Sequence, residues 1–382
     1  ILDNVFHGYQ GVISASNNTL SITGNNFQVQ EACVGTNTDN DIDVSNNTCS
    51  GLVGVSLKDD CRATITNNQF VQRNPLGADS VVGIWARSND MVTAENNSFD
   101  IDAMSKFAYG VLITNNGGTE INIIGNEFDL AGMVTEGITL DGLGDPIVAT
   151  ITGNTIDSAG KDYSVGMRFS RADAEVEDNV ISAGTSTSSS YGIFVDEFAS
   201  VIIAGNFITS RTVGQSDIEC DGVGTDDFSY SGPIRVSNNH IEVFAEGDSG
   251  YGRGLHASDV EDIEIVGNEV IVSRGDSDIF LLGIIIGATE GTAAILNNVV
   301  SVTGGDANQV IIGADFLLFG TQRFYFINNS IYVNGNGDTT GVNVGNLSME
   351  STIANNGVLV ESGGNAYGFF IDYDSEDRKS VV

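Results

Sequence analysis

One short pattern of apolar and polar positions recurs along nearly the whole chain. It reads apolar, any residue, Gly/Asn/Asp, Asn, any residue, apolar, as in ITGNNF from Ile22 and ITNNQF from Ile65. Fourteen copies occur, and their central asparagine runs from Asn4 to Asn356 at spacings of 21 to 33 residues. A repeat of this period indicates a solenoid, in which each turn buries its apolar face only against the neighbouring turns.

The residue before the central asparagine is always Gly, Asn or Asp. These residue types adopt a left-handed backbone at low cost, so we predict a corner of positive φ in every turn. The asparagine that follows is predicted to point inward and stack on its counterpart one turn away, since its amide both donates and accepts. The predicted structural ladder comprises Asn25, Asn47, Asn68, Asn97, Asn126, Asn154, Asn179, Asn206, Asn239, Asn268, Asn298 and Asn329.

A second pattern precedes most of these corners. It reads Gly, apolar, any residue, apolar, as in GVSL from Gly54, GIWA from Gly83 and GVLI from Gly110. Alternation with a period of two predicts a strand with one buried face. Each turn therefore holds at least two short strands and a fixed corner, and any chemistry is expected on the outward side of the strands or in the loops.

These corner motifs and Gly-led strands resemble the parallel β-helix repeats of the pectin-lyase-like superfamily. The resemblance implies an all-β fold, a right-handed parallel β-helix of about 14 coils. We expect residues 1–371 to form a single domain and residues 372–382 a charged tail. The superfamily includes pectate lyases, polygalacturonases, alginate lyases, phage tailspikes and surface proteins without known activity, so the resemblance implies a fold rather than one function.

The polygalacturonase motifs NTD, GHG and RIK do not occur in the sequence, and the pairs Asp59-Asp60 and Asp226-Asp227 stand without them. An inverting glycosidase needs an acid and a base carboxyl roughly 6.5–9.5 Å apart, and no such pair can be assigned. A lyase would need Ca²⁺ and a basic residue, for which Arg168, Arg171 or Arg253 would have to serve. We therefore assign no catalytic residues.

The longest turn, between Asn206 and Asn239, contains an insertion rich in acidic and aromatic residues. Acidic, aromatic and arginine side chains together suit a sugar or a cation. The alternative is a long solvated loop on an acidic protein. The ligand candidates from this turn and the next are Asp221, Asp226, Asp227, Tyr230, Tyr251, Arg253 and His256.

The outward positions of the Gly-led strands supply further ligand candidates, Trp85, Arg168 and Phe194. Bare aromatic groups on an outer sheet face are unfavourable, so they either line a groove for a glycan or are covered by a loop or partner.

Asp39, Asp41 and Asp43 alternate before the third corner and are the candidate metal ligands. Alternating carboxylates suit Ca²⁺, the one cofactor that the sequence suggests. The alternative is an acidic edge that prevents strand pairing with other chains.

The chain has 51 acidic and 15 basic residues, a net charge of −36. This charge argues against nucleic acid and anionic lipid as partners. It is typical of salt-adapted, halophilic proteins, of divalent cation binders or of acidic secreted surfaces. No apolar run is long enough to span a membrane.

Four cysteines, Cys33, Cys49, Cys61 and Cys220, match no zinc or redox spacing, and one disulfide near the start or simple buried thiols both fit them.

Two functions remain. The first is an extracellular or cell-surface structural or adhesive β-helix, which associates with itself or with adjoining domains through uncapped ends. The second is a polysaccharide lyase, glycoside hydrolase or glycan-binding module.

Overall fold

The computed structural model describes residues 1–73, 78–88, 90–115, 119–144, 146–197, 199–214, 218–225, 232–274, 279–287, 289, 291–305, 310–318, 320–346 and 350–372, without the side chains of residues 104, 105, 115 and 372. These residues form strands, turns and bends, and none of them lies in a helix. The chain divides into two compact units, Ile1–Gly184 and Thr185–Val382. The predicted tail lies outside the described residues except for Asp372.

The strands of the first unit are short except for three that continue around a bend. They are β1 Val5–Gly8, β2 Val12–Ser14, β3 Thr19–Thr23, β4 Asn26–Val29, β5 Ala32–Thr36, β6 Asp41–Ser45, β7 Thr48–Ser50, β8 Val53–Leu57, β9 Arg62–Thr66, β10 Gln69–Arg73, β11 Ser80–Arg87, β12 Met91–Glu95, β13 Ser98–Asn115, β14 Glu120–Ile124, β15 Glu127–Gly142, β16 Ile147–Thr152, β17 Thr155–Ser170, β18 Ala172–Glu177 and β19 Val180–Thr185.

The strands of the second unit follow the same order within each turn. They are β20 Ser189–Val195, β21 Ser200–Ala204, β22 Phe207–Val213, β23 Ile218–Thr225, β24 Ile234–Ser237, β25 His240–Glu246, β26 Gly250–Ala257, β27 Ile263–Val266, β28 Glu269–Arg274, β29 Phe280–Ile286, β30 Thr292–Leu296, β31 Val299–Thr303, β32 Val310–Leu317, β33 Arg323–Ile327, β34 Ser330–Gly335, β35 Asp338–Gly345, β36 Glu350–Ala354, β37 Gly357–Ser362 and β38 Ala366–Asp372.

Within each unit, the strands pair in parallel with the equivalent strand one turn away. In the first unit, Ile22 of β3 aligns with Val44 of β6, which aligns with Ile65 of β9. In the second unit, Ile265 of β27 aligns with Ile295 of β30. Parallel neighbours need a long connection, and here that connection is a full turn of chain. Each unit is thus a parallel β-solenoid, as the repeat predicted.

The predicted corner is present in all fourteen copies of the motif. The residue before the central asparagine has a φ between 51° at Asp3 and 70° at Gly24. The following asparagines of the predicted ladder are almost fully buried, with 1 to 3% of their surface exposed. Only Asn4 and Asn356, at the two ends of the repeat, lie outside that buried set. The corner prediction is therefore confirmed.

The asparagine ladder is continuous within each unit. In the first unit, each backbone N–H from Asn4 to Asn154 donates to Oδ1 of the next asparagine at 2.8–2.9 Å. In the second unit, the same bonds run from Asn206 to Asn356 at 2.8–2.9 Å. Each ladder thereby satisfies polar groups that burial would otherwise leave without partners.

The number of complete turns is slightly lower than the 14 expected. The first motif does not complete a strand before its corner, because Leu2 makes only an isolated bridge to Thr23. The corner motif therefore overestimates the count of full turns at this end.

In each unit, we call the stack of Gly-led strands the glycine face of that unit. In the first unit it comprises β2, β5, β8, β11 and the second halves of β13, β15 and β17. In the second unit it comprises β20, β23, β26, β29, β32, β35 and β38. The glycines are required by space. A Cβ on Gly83 would lie 2.4 Å from Cδ1 of Phe99 and 2.5 Å from the carbonyl oxygen of Gly110. Phe99 itself stacks on Phe128 with ring centroids 4.5 Å apart. The motif thus marks where the chain passes over the packed interior: Ile84, directly after the glycine, is fully buried, whereas Trp85, the next residue, is only partly buried.

Cys33 and Cys49 form a disulfide in the early turns of the first unit. Cys61 and Cys220 are buried thiols outside it. The sequence left this pairing open.

Candidate functional site

The outward side of the glycine face carries buried charges in the second unit. Asp221 of β23 aligns with Tyr191 of β20 on one side and Arg253 of β26 on the other. Gly224 of the same strand aligns with His256. A sheet face built only for stability would not place ionisable groups in this row, because burying a charge is costly unless it is paired.

Asp221 and Arg253 form the centre of this site. Nε of Arg253 donates to Oδ1 of Asp221 at 2.7 Å. Asp221 is fully buried, and Arg253 is 7% exposed. Nδ1 of His256 lies 3.8 Å from Oδ2 of Asp221, an ion-pair distance rather than a hydrogen bond. The buried aspartate therefore holds Arg253 by a hydrogen bond and lies at ion-pair distance from His256, which is also 7% exposed.

The electrostatics keep both partners of this pair ionised. Burial alone would raise the pKa of Asp221, but the charge of Arg253 and the neighbouring His256 hold it below its ordinary value. Burial likewise opposes the charge on Arg253, yet Asp221 and then Glu219 raise the pKa of the guanidinium above its ordinary value. Neither group can exchange a proton near neutral pH, so the pair is suited to binding rather than to acid–base catalysis.

Glu219 forms the polar rim of the site. It accepts a short hydrogen bond from the hydroxyl of Tyr191 and lies 3.4 Å from Nη2 of Arg253. Its side chain is 40% exposed. The carboxylate is therefore available at the surface as an acceptor while its position is fixed from below.

Aromatic rings flank this rim. The rings of Tyr251 and Phe280 stack with centroids 5.4 Å apart, and both residues are 43% exposed. The guanidinium of Arg253 lies 5.4 Å from the Tyr251 ring centroid, a cation–π contact. Phe194 contacts Tyr191 with centroids 4.8 Å apart. We call Tyr191, Glu219, Asp221, Tyr251, Arg253, His256 and Phe280 the second-unit cluster.

The glycine face of the first unit carries a separate polar group. Glu136 of β15 is 5% exposed, and its Oε2 accepts a hydrogen bond from Thr139. Its Oε1 lies 3.7 Å from Nη1 of Arg168. Burial raises the pKa of Glu136, while Thr139 and Arg168 oppose that rise. Burial, followed by the charge of Glu136, raises the pKa of the neighbouring Tyr109 to about 12.

The structure brings together four of the predicted ligand residues, Asp221, Tyr251, Arg253 and His256. Phe194 joins them through Tyr191. Trp85 and Arg168 belong to the first unit and line its glycine face instead. The remaining candidates, Asp226, Asp227 and Tyr230, lie outside the described residues.

The three candidate metal ligands occupy different structural positions. Asp39 stands at a second left-handed corner, with φ 56°, and Asp41 and Asp43 lie at exposed positions of β6. Within the described ranges, no three His, Cys, Asp or Glu side chains are grouped so as to hold a metal ion. The corner explains the choice of Asp at position 39, and calcium binding stays a prediction.

Sequence reasoning did not identify Tyr191 or Glu136 as site residues, and it placed Glu219 in the acidic insertion without choosing it as a ligand candidate. It also did not recognise Gly222 as the glycine of a Gly-led strand, because the positions after it read Val, Gly and Thr instead of alternating apolar residues. The alignment of Asp221 with Arg253 shows the equivalence. The only sequence signal for Glu136, Tyr191 and Asp221 was that each is a polar residue directly before a glycine.

Comparisons with protein-family models, curated proteins and solved structures found no match to this chain. In the part of the chain that is described, no helix is long and apolar enough to cross a membrane.

Proposed function

We propose that this chain is an extracellular or cell-surface β-solenoid of the pectin-lyase-like type that binds an uncharged polysaccharide through the second-unit cluster and serves an adhesive or structural role. The observation that carries the proposal is the exposed Tyr251–Phe280 pair beside the paired Arg253 and Glu219. Aromatic faces next to a few fixed polar groups are the usual composition of a sugar site.

The cluster offers a sugar both kinds of contact that it needs. The exposed rings present flat apolar surface to the C–H face of a pyranose. Glu219 can accept from hydroxyl groups, and Arg253 has five N–H donors, of which the one on Nε is used by Asp221 and one on Nη2 by Glu219. Because Asp221 holds Arg253 in place, little side-chain entropy is lost when the ligand binds.

Charge favours an uncharged ligand over an acidic one. The cluster contains two carboxylates, Asp221 and Glu219, against the single permanent cation of Arg253. The whole chain carries −36, which repels polyanions at low ionic strength. A polyuronate would therefore bind less well than a neutral glucan or mannan.

The pKa directions argue for binding without cleavage. Asp221 and Arg253 remain charged across the neutral range, and a general acid or base needs a pKa near the working pH. A lyase or hydrolase remains the alternative from the sequence, and the experiment below separates it from a binding module.

The Cys33–Cys49 disulfide supports the proposed location. Disulfides persist in oxidising compartments and are rare in the cytosol. The acidic surface supports adaptation to high salt, since excess carboxylates keep a protein soluble there.

Association with further copies or with adjoining domains stays part of the proposal.

Affinity electrophoresis of the full chain in gels containing dextran, mannan, hydroxyethyl cellulose, polygalacturonate or alginate tests the proposal. We expect retardation by at least one neutral polymer and none by the polyuronates, with no release of reducing ends or unsaturated sugars from any of them. Mobility unchanged in every gel would overturn the binding proposal. Cleavage of any polymer would establish the enzyme alternative instead.

A further inference from the structure

Three corners of the repeat carry a triplet that the fold explains only in part. They read Asn-Asn-Thr or Asn-Asn-Ser and begin at Asn46, Asn96 and Asn328. A triplet Asn-X-Ser/Thr, with X other than Pro, is the acceptor sequence for N-linked glycans. Two further triplets begin at Asn17, on a different left-handed corner, and at Asn346, whose next three residues lie outside the described ranges.

The repeat does not require the hydroxyl residue that completes these triplets. At the other corners that begin with Asn, the residue two places later has no hydroxyl; these residues are Gln69, His240, Val299 and Gly357. In the structure this position lies on the outward side of the strand that follows the corner. Thr48 and Ser98 are half-buried there, whereas Cys49 and Phe99, directly after them, are buried. The left-handed corner accounts for the first asparagine and the ladder for the second, but neither accounts for the third residue.

The first asparagine of each triplet has the exposure that a glycan needs. Its φ is 55° at Asn46, 53° at Asn96 and 57° at Asn328, and all three residues are exposed. The ladder asparagine that follows each of them is only 1 to 3% exposed. Two amides that are adjacent in sequence thus have opposite surroundings, and only the first can carry a bulky polar group on the surface.

The corners of neighbouring turns leave space around these amides. Oδ1 of Asn96 lies above Gly125, the corner residue of the next turn, where a Cβ would come within 2.8 Å of that oxygen. The turn of Asn67 separates Asn46 from Asn96, so two strand spacings, roughly 10 Å, lie between them. Two glycans would therefore stand along one edge of the first unit.

We infer that Asn46, Asn96 and Asn328 are acceptor sites for N-linked oligosaccharides on the secreted chain. The inference rests on the extracellular location in the proposed function, because the co-substrate is an oligosaccharide linked to a polyprenyl phosphate or diphosphate and is used during secretion. In the reaction, Nδ2 of the asparagine forms a bond to C1 of the first sugar and loses one proton. The bond between C1 and the phosphate oxygen breaks, and the lipid phosphate leaves with the electron pair.

The experiment is peptide mass spectrometry of the full chain secreted by cultured eukaryotic cells. Peptide N-glycosidase in heavy-oxygen water converts each modified asparagine to an aspartate that carries one heavy oxygen, which identifies the site. We expect this label at Asn46, Asn96 and Asn328. Thr48→Val should abolish it at Asn46 alone, and the matched control Thr48→Ser should retain it, because the acceptor sequence needs the hydroxyl.

A gained site tests the corner itself. Gln69→Thr completes a triplet at Asn67, which has the same left-handed corner with φ 55°, and should add a label there. An unmodified asparagine at any of the three corners would overturn the assignment of that corner. Label at Asn46 that survives Thr48→Val, or no label at Asn67 in Gln69→Thr, would overturn the link between corner, triplet and modification.

The same preparation separates this inference from the binding proposal. A secreted chain with the Cys33–Cys49 disulfide formed, retarded by a neutral polymer but without label at any of the three corners, would overturn the inference and leave the binding proposal intact. A labelled chain that no polymer retards would support the acceptor sites and overturn the binding proposal.

Discussion

Asn97 donates both its backbone N–H and its Nδ2 to one oxygen, Oδ1 of Asn126, at 2.9 and 3.0 Å. The same Nδ2 also reaches the carbonyl oxygen of Ile65 at 2.8 Å. One side chain per turn thus ties three successive turns together, and the corner before it sets the direction of that side chain.

The corner gives the first prediction. Gly153→Val should destabilise the protein by more than about 1 kcal/mol, because a β-branched residue fits a φ of 64° poorly. No atom lies within 4 Å of a Cβ built there, so the cost is conformational and not a clash. Gly153→Asn is the control and should be nearly neutral, since Asn stands at equivalent corners such as Asn67 and Asn96. Equal unfolding free energies for the two variants would contradict the account.

The buried ion pair gives the second prediction. Asp221→Asn should cost about 3 kcal/mol or more, because Arg253 keeps its charge in a buried place without the carboxylate. Glu264→Gln removes an exposed partner of Arg235, 3.4 Å away, and should cost less than about 1 kcal/mol. Urea unfolding of both variants measures the difference. Similar losses of unfolding free energy in the two variants would contradict the burial of the Asp221–Arg253 ion pair.

The Asp221–Arg253 pair also predicts how the stability of the protein changes at low pH. The pKa of Asp221 is lower in the folded protein than its ordinary value of 3.8, so its contribution to stability is present above about pH 4. It is lost as the pH falls through the folded value. Between pH 4 and pH 2 the wild type should therefore lose more stability than Asp221→Asn does. Parallel pH profiles for the two proteins would argue against an ionised Asp221.

The net charge of −36 gives a further prediction. Raising NaCl from 0.01 to 1 M shortens the screening length from about 30 to about 3 Å, so repulsion between exposed carboxylates falls and Tm should rise. Millimolar Ca²⁺ at low salt is the comparison. If Ca²⁺ alone produced the full rise, specific sites rather than general screening would account for the effect, and a Tm unaffected by either salt would refute both explanations.

The disulfide between Cys33 and Cys49 gives another prediction. Cys33 and Cys49 are 16 residues apart, and closing a loop of this size stabilises a protein by about 3 kcal/mol in the chain-entropy model. Dithiothreitol should therefore lower the Tm of the wild type. The double variant Cys33→Ala/Cys49→Ala should start from the lower Tm and show no response to the reductant. An equal response of both proteins would assign the effect to something other than this disulfide.

The fold could be predicted from the sequence because its main determinants are local. A Gly, Asn or Asp before each asparagine specifies the corner without knowledge of any other turn, and all fourteen corners have the predicted φ. Asp39 shows where residue type alone is ambiguous. An aspartate suits both a calcium ligand and a left-handed corner, and the backbone at Asp39 adopts the left-handed conformation.

The candidate site was harder to predict because it depends on contacts between turns. Asp221 and Arg253 are separated by 32 residues and meet only through strand register. Turn lengths vary, so the sequence alone could not show which outward residues align. Glu136 stood before a recognised glycine, but its burial depends on how its neighbours Tyr109 and Arg168 pack, which residue types do not specify.

The central claim is that the second-unit cluster binds an uncharged polysaccharide, and a calorimetric titration of matched variants tests it most directly. Tyr251→Ala and Phe280→Ala should each weaken binding of the retarding polymer at least about fivefold. Phe207→Ala should leave it unchanged, since Phe207 is a similarly exposed ring, 41% accessible, that stacks on His240 of β25 outside the glycine face. Equal affinities for all three variants, or a loss confined to Phe207→Ala, would contradict the account.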